Sequence, residues 1–235
     1  MSLERIDKIL SSKNLSRKEA KELIKSKRVT VNQKMVADVG FKIDVSKDVV
    51  CIDQKPFFYQ KYIYIMQNKP QGIVSASSSP SDKTVIDILP EALKRPGLFP
   101  AGRLDKDTTG FVLITNDGEF AHNILSPKHH VQKTYHVTTQ IDVDEVGVQK
   151  LEQGLELKDG TLFLPAKVQK LSPCHFEIQI CEGKYHQIKR MFSAIGSPLI
   201  ALRRVQIGNL PLDHNLRLGD SKELTPQEIK EITKC

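Results

Sequence analysis

The sequence predicts an α+β protein: a small α/β module over residues 1–56, then a domain over 57–235 with a mainly antiparallel mixed sheet flanked by helices. Three observations carry that reading. Past residue 60, strand patterns outnumber helical ones, and several are joined by turns too short for a crossover, which favours antiparallel pairing. Before residue 56, a capped amphipathic helix runs into a hairpin pattern. Charge is also unevenly spread: the first 30 residues hold nine basic and four acidic side chains, net +5 out of +7 for the whole chain.

In the first module, Ile6, Ile9 and Leu10 recur at helical spacing. Ser16-Arg17-Lys18-Glu19 then forms an S-x-x-E capping box, in which the Ser16 and Glu19 side chains each take the other's backbone amide. The helix it opens sets Ala20, Leu23 and Ile24 on one face, with Arg17, Lys18, Lys21, Lys25 and Lys27 elsewhere. Arg28–Val31, a polar turn at Asn32-Gln33-Lys34, and Met35-Val36 read as a hairpin, and Val49–Ile52 as a further strand. Scattered lysines usually mean only a solvated face. Clustered on one helix and the strand beside it, they favour contact with a polyanion.

The larger domain opens with Phe57, Phe58 and Tyr59, then a strand over Tyr62–Met66 and a turn at Asn68-Lys69-Pro70-Gln71-Gly72. A short strand at Ile73–Ser75, a polar stretch at Ser77–Ser81 and a short helix over Thr84–Leu93, broken by Pro90, are expected next. Phe111–Ile114 is an unbroken apolar run, read as a buried strand, followed by a turn at Asn116-Asp117-Gly118 and a helix over Glu119–Leu125. Lys133–Val137 and Phe176–Ile180 alternate as strands; between them come a helix ending at Gly154 and a hairpin punctuated by Gly160. Glu182–Phe192 reads as a helix whose stripe is Ile188, Met191, Phe192 and Ile195, with Lys189 and Arg190 off it. Arg203 and Arg204 lie on the next strand, and Thr225-Pro226-Gln227-Glu228 caps a final helix.

Several function classes fall away. Cys51, Cys174, Cys181 and Cys235 lack paired spacing and read as free thiols of a reducing compartment, without a catalytic signature. No apolar run approaches membrane-spanning length, and the N-terminus is charged from Glu4 onward, so no signal peptide and a cytoplasmic protein are expected. Asp105, Asp107, Asp117, His129 and His130 fit neither the calcium-loop nor the H-E-x-x-H pattern, and no metal site is expected. The stretch Gly102–Gly110 lacks the G-K-[ST] ending of a nucleotide-binding loop. What remains is a glycine-bounded loop holding Arg103, Asp105, Lys106 and Asp107, anchored to a buried strand. An aspartate acting there as nucleophile or base needs a nearby cation to stay ionised once water is excluded, and Arg103, Lys189 and Arg190 are candidates.

Two resemblances follow from these segments. L-E-R-I-D-K-I-L with S-R-K-E-A-K-E-L-I-K-S-K-R-V-T-V-N-Q, over about residues 3–53, resembles the S4 RNA-binding domain. In that family the basic helix pair and hairpin lie on RNA, which marks Arg5, Lys8, Arg17, Lys18, Lys21, Lys25 and Arg28 as RNA-binding. G-R-L-D-K-D-T-T-G-F-V-L-I-T-N-D-G resembles the signature of the bacterial ribosomal pseudouridine synthases. N-K-P-Q-G at 68–72, K-T-Y at 133–135 and E-G-K-Y-H-Q-I-K-R-M-F at 182–192 agree with it in order. The K-R-M-F ending and the S-P-K-H-H run look like the small-subunit (A) branch.

The resemblance implies an isomerase that detaches the uracil of a uridine, rotates it and rejoins it through carbon 5 without a cofactor. Asp105 would be the nucleophile, Tyr135 would lie against the base as proton acceptor or relay, and Lys189 would pair with Asp105, with Arg190 the neighbouring alternative and otherwise an RNA-binding residue. Arg103 would contact RNA or hold the flipped nucleotide's place, and Lys69 would be structural or phosphate-binding. The implied substrate is 16S ribosomal RNA within an assembly intermediate, at uridine 516, modified by a monomer. The rival readings are a sister-branch synthase acting on 23S RNA and a non-catalytic RNA-binding assembly factor.

Overall fold

The computed structural model describes residues 3–11, 15–45, 47–57, 59–126 and 131–233. It divides into two compact units: one runs to Ile63 and takes in Lys94–Gly97, and the other holds Tyr64–Leu93 and continues from Leu98. Among the described residues no helix is long and apolar enough to cross a membrane.

In the first unit, β1 (Leu3–Arg5) leads directly into α1 (Ile6–Leu10), and α2 (Arg17–Lys25) follows. The capping box forms as its sequence dictates: Glu19 N donates to Ser16 Oγ at 3.2 Å, and Ser16 N to Glu19 Oε2 at 2.6 Å. Such a cap contributes about 1 kcal/mol to a helix this short. Next come β2 (Val29–Val31) and β3 (Lys34–Met35), joined through Asn32 and Gln33 at φ of 49° and 66°. Two left-handed residues match the twist of a two-residue hairpin. β4 (Lys42–Asp44) pairs with β1, while β5 (Val50–Ile52) and β6 (Lys55–Phe57) complete a sheet of order β3-β2-β5-β6. The expected boundary at residue 56 falls inside β6. Ile6, Ile9, Leu10, Ala20, Ile24, Val29, Val31 and Val50 belong to one core, and each large aliphatic among them contributes about 1.5–3 kcal/mol.

The second unit begins with β7 (Tyr64–Lys69), β8 (Phe99–Pro100), β9 (Thr109–Thr115), α3 (Gly118–Leu125) and β10 (Lys133–Thr139). Then come α4 (Glu145–Gln153), a small hairpin of β11 (Leu155–Glu156) and β12 (Leu162–Phe163), β13 (Lys167–Ser172) and β14 (His175–Ile180). The chain closes with α5 (Gln187–Ala194), β15 (Leu199–Ile207), β16 (Leu210–Pro211), β17 (Ser221–Glu223) and α6 (Pro226–Thr233). The main sheet has nine strands in the order β13-β14-β10-β15-β9-β7-β17, with β16 beside β15 and β8 beside β9.

Every pairing in this sheet is antiparallel except β15 with β9, where Arg203 faces Thr109 and Arg204 faces Gly110. That seam requires glycine at 110. Its φ is +104°, and a Cβ there would lie 2.2 Å from the Arg204 carbonyl oxygen. Phe111 to Ile114 of β9 are 0 % exposed, so the strand is covered on both faces, as its unbroken apolar run foretells.

Helix ends agree with the sequence where a cap is written into it. Asp117 caps α3 through Phe120 N, Gly154 closes α4, and Thr225 and Glu228 exchange hydrogen bonds at the start of α6. Other expectations change. Thr84–Leu93 is not a helix: the Thr84 amide and hydroxyl both donate to Asp87, folding a local turn, and only Glu91–Leu93 makes a 3-10 turn after Pro90. Ile73–Ser75 supplies only a bridge from Val74 to Thr84. The strand expected over Tyr62–Met66 is shifted to Tyr64–Lys69 and runs through Asn68 and Lys69, stopping where Pro70 has no amide to donate. The helix expected from Glu182 starts at Gln187, because His186 sits left-handed at φ 48° and ψ 33°.

Candidate active site

The loop Gly102–Gly110 is fixed from several sides before it enters β9. Ser75 Oγ accepts from Leu104 N and donates to Leu104 O, each at 3.1 Å. Gly72 N donates to Lys106 O at 2.9 Å, and Thr108 N closes on Asp105 O at 3.1 Å. Lys69 is 0 % exposed, and its ammonium donates to the carbonyls of Thr108 at 2.7 Å, Pro70 at 3.1 Å and Lys106 at 3.2 Å. Of the two roles the sequence left for Lys69, the geometry is that of the structural one, because no phosphate can reach a side chain so enclosed. Burial pulls its pKa down to about 8, against the opposing pull of Asp107 and Asp105. The N-K-P-Q-G segment is thus a clamp on the loop rather than a free turn.

With its backbone held, Asp105 presents its carboxylate to α5. Lys189 Nζ lies 2.9 Å from Asp105 Oδ2 and 2.6 Å from Asp107 Oδ1. An ammonium has three separate donors and bridges the two carboxylates without the bidentate fork a guanidinium would offer. Burial pulls the Lys189 pKa down, but hydrogen bonds to Asp107 and Asp105 outweigh it and leave it raised. The same bond from Lys189 holds the Asp107 pKa below the usual carboxylate value. His186 Nε2 stands 3.4 Å from Asp105 Oδ1. Arg190, the alternative partner, turns instead to Asp159 Oδ2 at 2.5 Å and Thr161 Oγ1 at 3.1 Å.

Asp105, Lys189 and Tyr135 line one small cavity of about 80 Å³, whose apolar walls include Ile180, Ile188 and Leu202. Tyr135, 8 % exposed, comes from β10, in register with Ile178 of β14 and Arg204 of β15. The buried Arg204 donates from Nε to Phe111 O at 2.7 Å and from Nη1 to the Tyr135 hydroxyl at 3.4 Å. Its Nη2 has no partner among the described residues. Lys133, two positions before Tyr135, is also buried, 3.5 Å from the carbonyls of Ile124 and Cys181. Burial, with Arg204 nearby, lowers its pKa to about 8. Arg103 is exposed at the rim. The arrangement sets the Asp105 carboxylate between an ammonium and an aromatic wall in a small cavity.

The RNA-binding positions expected in the first unit all face solvent. Arg17, Lys18, Lys21 and Lys25 stand exposed on α2. Arg5 meets Asp7 at 3.0 Å, Lys8 meets Glu4 at 2.8 Å and Arg28 meets Asp53 at 2.5 Å. Exposed pairs of this kind contribute about 0–1 kcal/mol, so they do little to hold these cations back from another anion.

Sequence reasoning did not single out His186, Arg204, Ser75 or the share Asp107 takes in Lys189. His186 and Lys189 are three apart at a helix start, a spacing that puts both beside one turn. Arg204 carries no such signal, since either of two adjacent arginines could have faced inward. His129 and His130 lie outside the described residues. Among the described residues, no group of three or more His, Cys, Asp or Glu side chains is placed to hold a metal ion.

Comparison with known proteins follows the same division. The family described as RNA pseudouridylate synthase matches residues 63–194, and the S4 domain matches residues 4–50. A Bacillus subtilis protein named as an uncharacterized RNA pseudouridine synthase, YtzG, is 40% identical over 230 residues, covering 96% of each chain. The ribosomal small subunit pseudouridine synthase A of Escherichia coli K12 is 38% identical over 231 residues, 97% of this chain and 99% of its own. A crystal structure of a pseudouridylate synthase has a TM-score of 0.68 and 35% identity over 97% of this chain and 99% of that one.

Proposed function

The chain belongs to the RNA pseudouridine synthases, isomerases that here carry an N-terminal S4 domain, and we propose that it converts one uridine of the small-subunit ribosomal RNA. The observation that carries the mechanism is the Asp105–Lys189 contact of 2.9 Å at the cavity shared with Tyr135. Asp105 is the nucleophile: its carboxylate forms a transient bond to the target uridine, and that bond breaks again before the product leaves, restoring the free carboxylate. Lys189 keeps it ionised when the base displaces water, which would otherwise favour the neutral acid. The bond from the ribose to uracil N1 breaks, the ring turns within the cavity and a bond from C5 to the ribose forms. The C5 proton leaves and N1 takes one up, so the reaction balances without a cofactor. Tyr135 borders the base as the acceptor or relay of the C5 proton, and Arg204 Nη1 donates to its oxygen, which favours a build-up of negative charge there.

A uridine in folded RNA must be unstacked before it can enter so small a cavity, at a cost of roughly a few kcal/mol. Phosphate contacts offset that cost. The exposed cations of α2, with Arg5, Lys8 and Arg28, supply them from the S4-like unit, and Arg103 supplies one at the rim of the pocket. The 38% identity to a small-subunit enzyme over nearly the whole chain supports that RNA as the substrate, and uridine 516 as the position to test first.

Two measurements test this. Purified Asp105→Ala protein should form no pseudouridine while still binding RNA, and detectable turnover would sink the mechanism. Carbodiimide mapping of ribosomal RNA from a deletion strain should lose one small-subunit site. Loss of a large-subunit site would point to the sister branch, and loss of none to a binding factor.

A further inference from the structure

Beside the small cavity, and sharing Asp105, Arg103 and His186 with it, lies an open one of about 910 Å³. Its wall includes an aromatic pair that the reaction does not use. The Tyr185 ring stacks on the His186 ring, with centroids 3.9 Å apart and planes at 18°, and Tyr185 is 75 % exposed. A tyrosine placed for packing would bury its ring; this one buries only the face on His186.

The turn that carries the pair is held rigidly. Gln187 Nε2 donates to Glu182 Oε1 at 2.7 Å, Leu164 N donates to the same oxygen at 2.8 Å, and Lys184 N donates to Gln187 Oε1 at 3.1 Å. Glu182 and Gln187 are both buried. His186 takes a left-handed backbone that a non-glycine residue adopts only at a cost of roughly 1–2 kcal/mol. Strain kept in place by a buried clasp, with an exposed ring as its product, is a device for presenting that ring.

We propose that the Tyr185–His186 stack is a platform for a nucleobase, taking the unstacked base of a nucleotide that flanks the target uridine. The inference rests on the RNA-modifying reading above. His186 touches Asp105 at 3.4 Å, so a base on the outer face of Tyr185 lies within one nucleotide's reach of the nucleophile. Arg103 lines the same cavity, exposed, and suits the phosphate between the two bases. Every base has a face to stack, so the platform grips the neighbour without reading its identity.

The test uses the full chain and a short single-stranded RNA with 2-aminopurine on either side of one uridine. Wild type should quench the fluorescence on binding. Tyr185→Ala should lose the quench and bind roughly tenfold more weakly, with an unchanged dependence of log K on log salt, because stacking releases no counterions. Tyr185→Phe should keep both quench and affinity. Unchanged affinity and quench in Tyr185→Ala would overturn the platform, as would a loss equal in Tyr185→Phe. The platform and the reaction fail separately. Quenching that depends on Tyr185, in a protein that forms no pseudouridine in ribosomal RNA, upholds the platform and removes the reaction. Turnover with an indifferent Tyr185→Ala does the reverse.

Discussion

The cations of the first unit and those around the Gly102–Gly110 loop carry the same charge under opposite conditions. On α2, Arg17, Lys18, Lys21 and Lys25 are set in solvent, and what lies beneath them is a capped helix with an apolar underside. Around the loop Lys69 and Lys189 are committed to named oxygens: Lys69 to three carbonyls, Lys189 to two carboxylates. A solvated cation responds to salt, because its anion must displace counterions. A committed cation responds to the geometry and protonation of its ligands. Charge density therefore finds a surface, whereas convergence of charge on a pinned carboxylate finds a site.

Substitutions on either side can break that contrast. The largest effect is expected at Lys189→Met, which should lower kcat by about 10²–10³-fold, the usual magnitude for losing one aimed electrostatic group. RNA affinity should be unchanged; a loss carried by KM would move Lys189 into the solvated class. Replacing Lys18, Lys21 and Lys25 together by alanine should do the converse. KM should rise, kcat should hold, and the slope of log K against log salt should flatten by about two, the release expected for three single-strand phosphate contacts. A wild-type slope would remove α2 from the RNA surface.

The smallest effect is at Lys69, and it appears in pH rather than salt. Folded Lys69 gives up its proton near pH 8, whereas the unfolded side chain keeps its own to 10.5. Between those values the unfolded chain binds more protons, so the folded state gains stability as pH rises. The unfolding free energy of wild type, measured against Lys69→Met by denaturant titration, should shift in favour of wild type between pH 8 and 10.5. A flat difference would mean that Lys69 is not the enclosed cation described here.

How much of this could be read beforehand depended on how local the cause was. The α2 cap is local: Ser16 and Glu19 are three residues apart, and nothing distant competes for their side chains. The α+β class and the antiparallel character of the sheet followed from strand spacing for the same reason. The loop stood out because four ionic groups between two glycines have no place in a core. Lys69 was opaque, because the carbonyls that enclose it belong mainly to residues 37 and 39 positions further on. The choice between Lys189 and Arg190 was equally closed. Helical periodicity puts both off the buried stripe, and only Asp159, 31 residues upstream, draws Arg190 away. His186 looked like one more helical residue, and its left-handed backbone depends on the Glu182–Gln187 clasp that periodicity cannot express.

The parallel seam has a mechanical consequence. Two antiparallel half-sheets meet there through Arg203 with Thr109 and Arg204 with Gly110, reinforced by the Arg204 side chain on Phe111. The Asp105 loop is continuous with the β9 half, while Tyr135 and Lys189 belong to the other. Spreading of the join therefore acts on the gap between nucleophile and base wall, which the Lys189 contacts to Asp105 and Asp107 span. Turnover is then a strain gauge for a line of two residue pairs, and mild denaturant should silence it while the amides of both half-sheets remain protected from exchange.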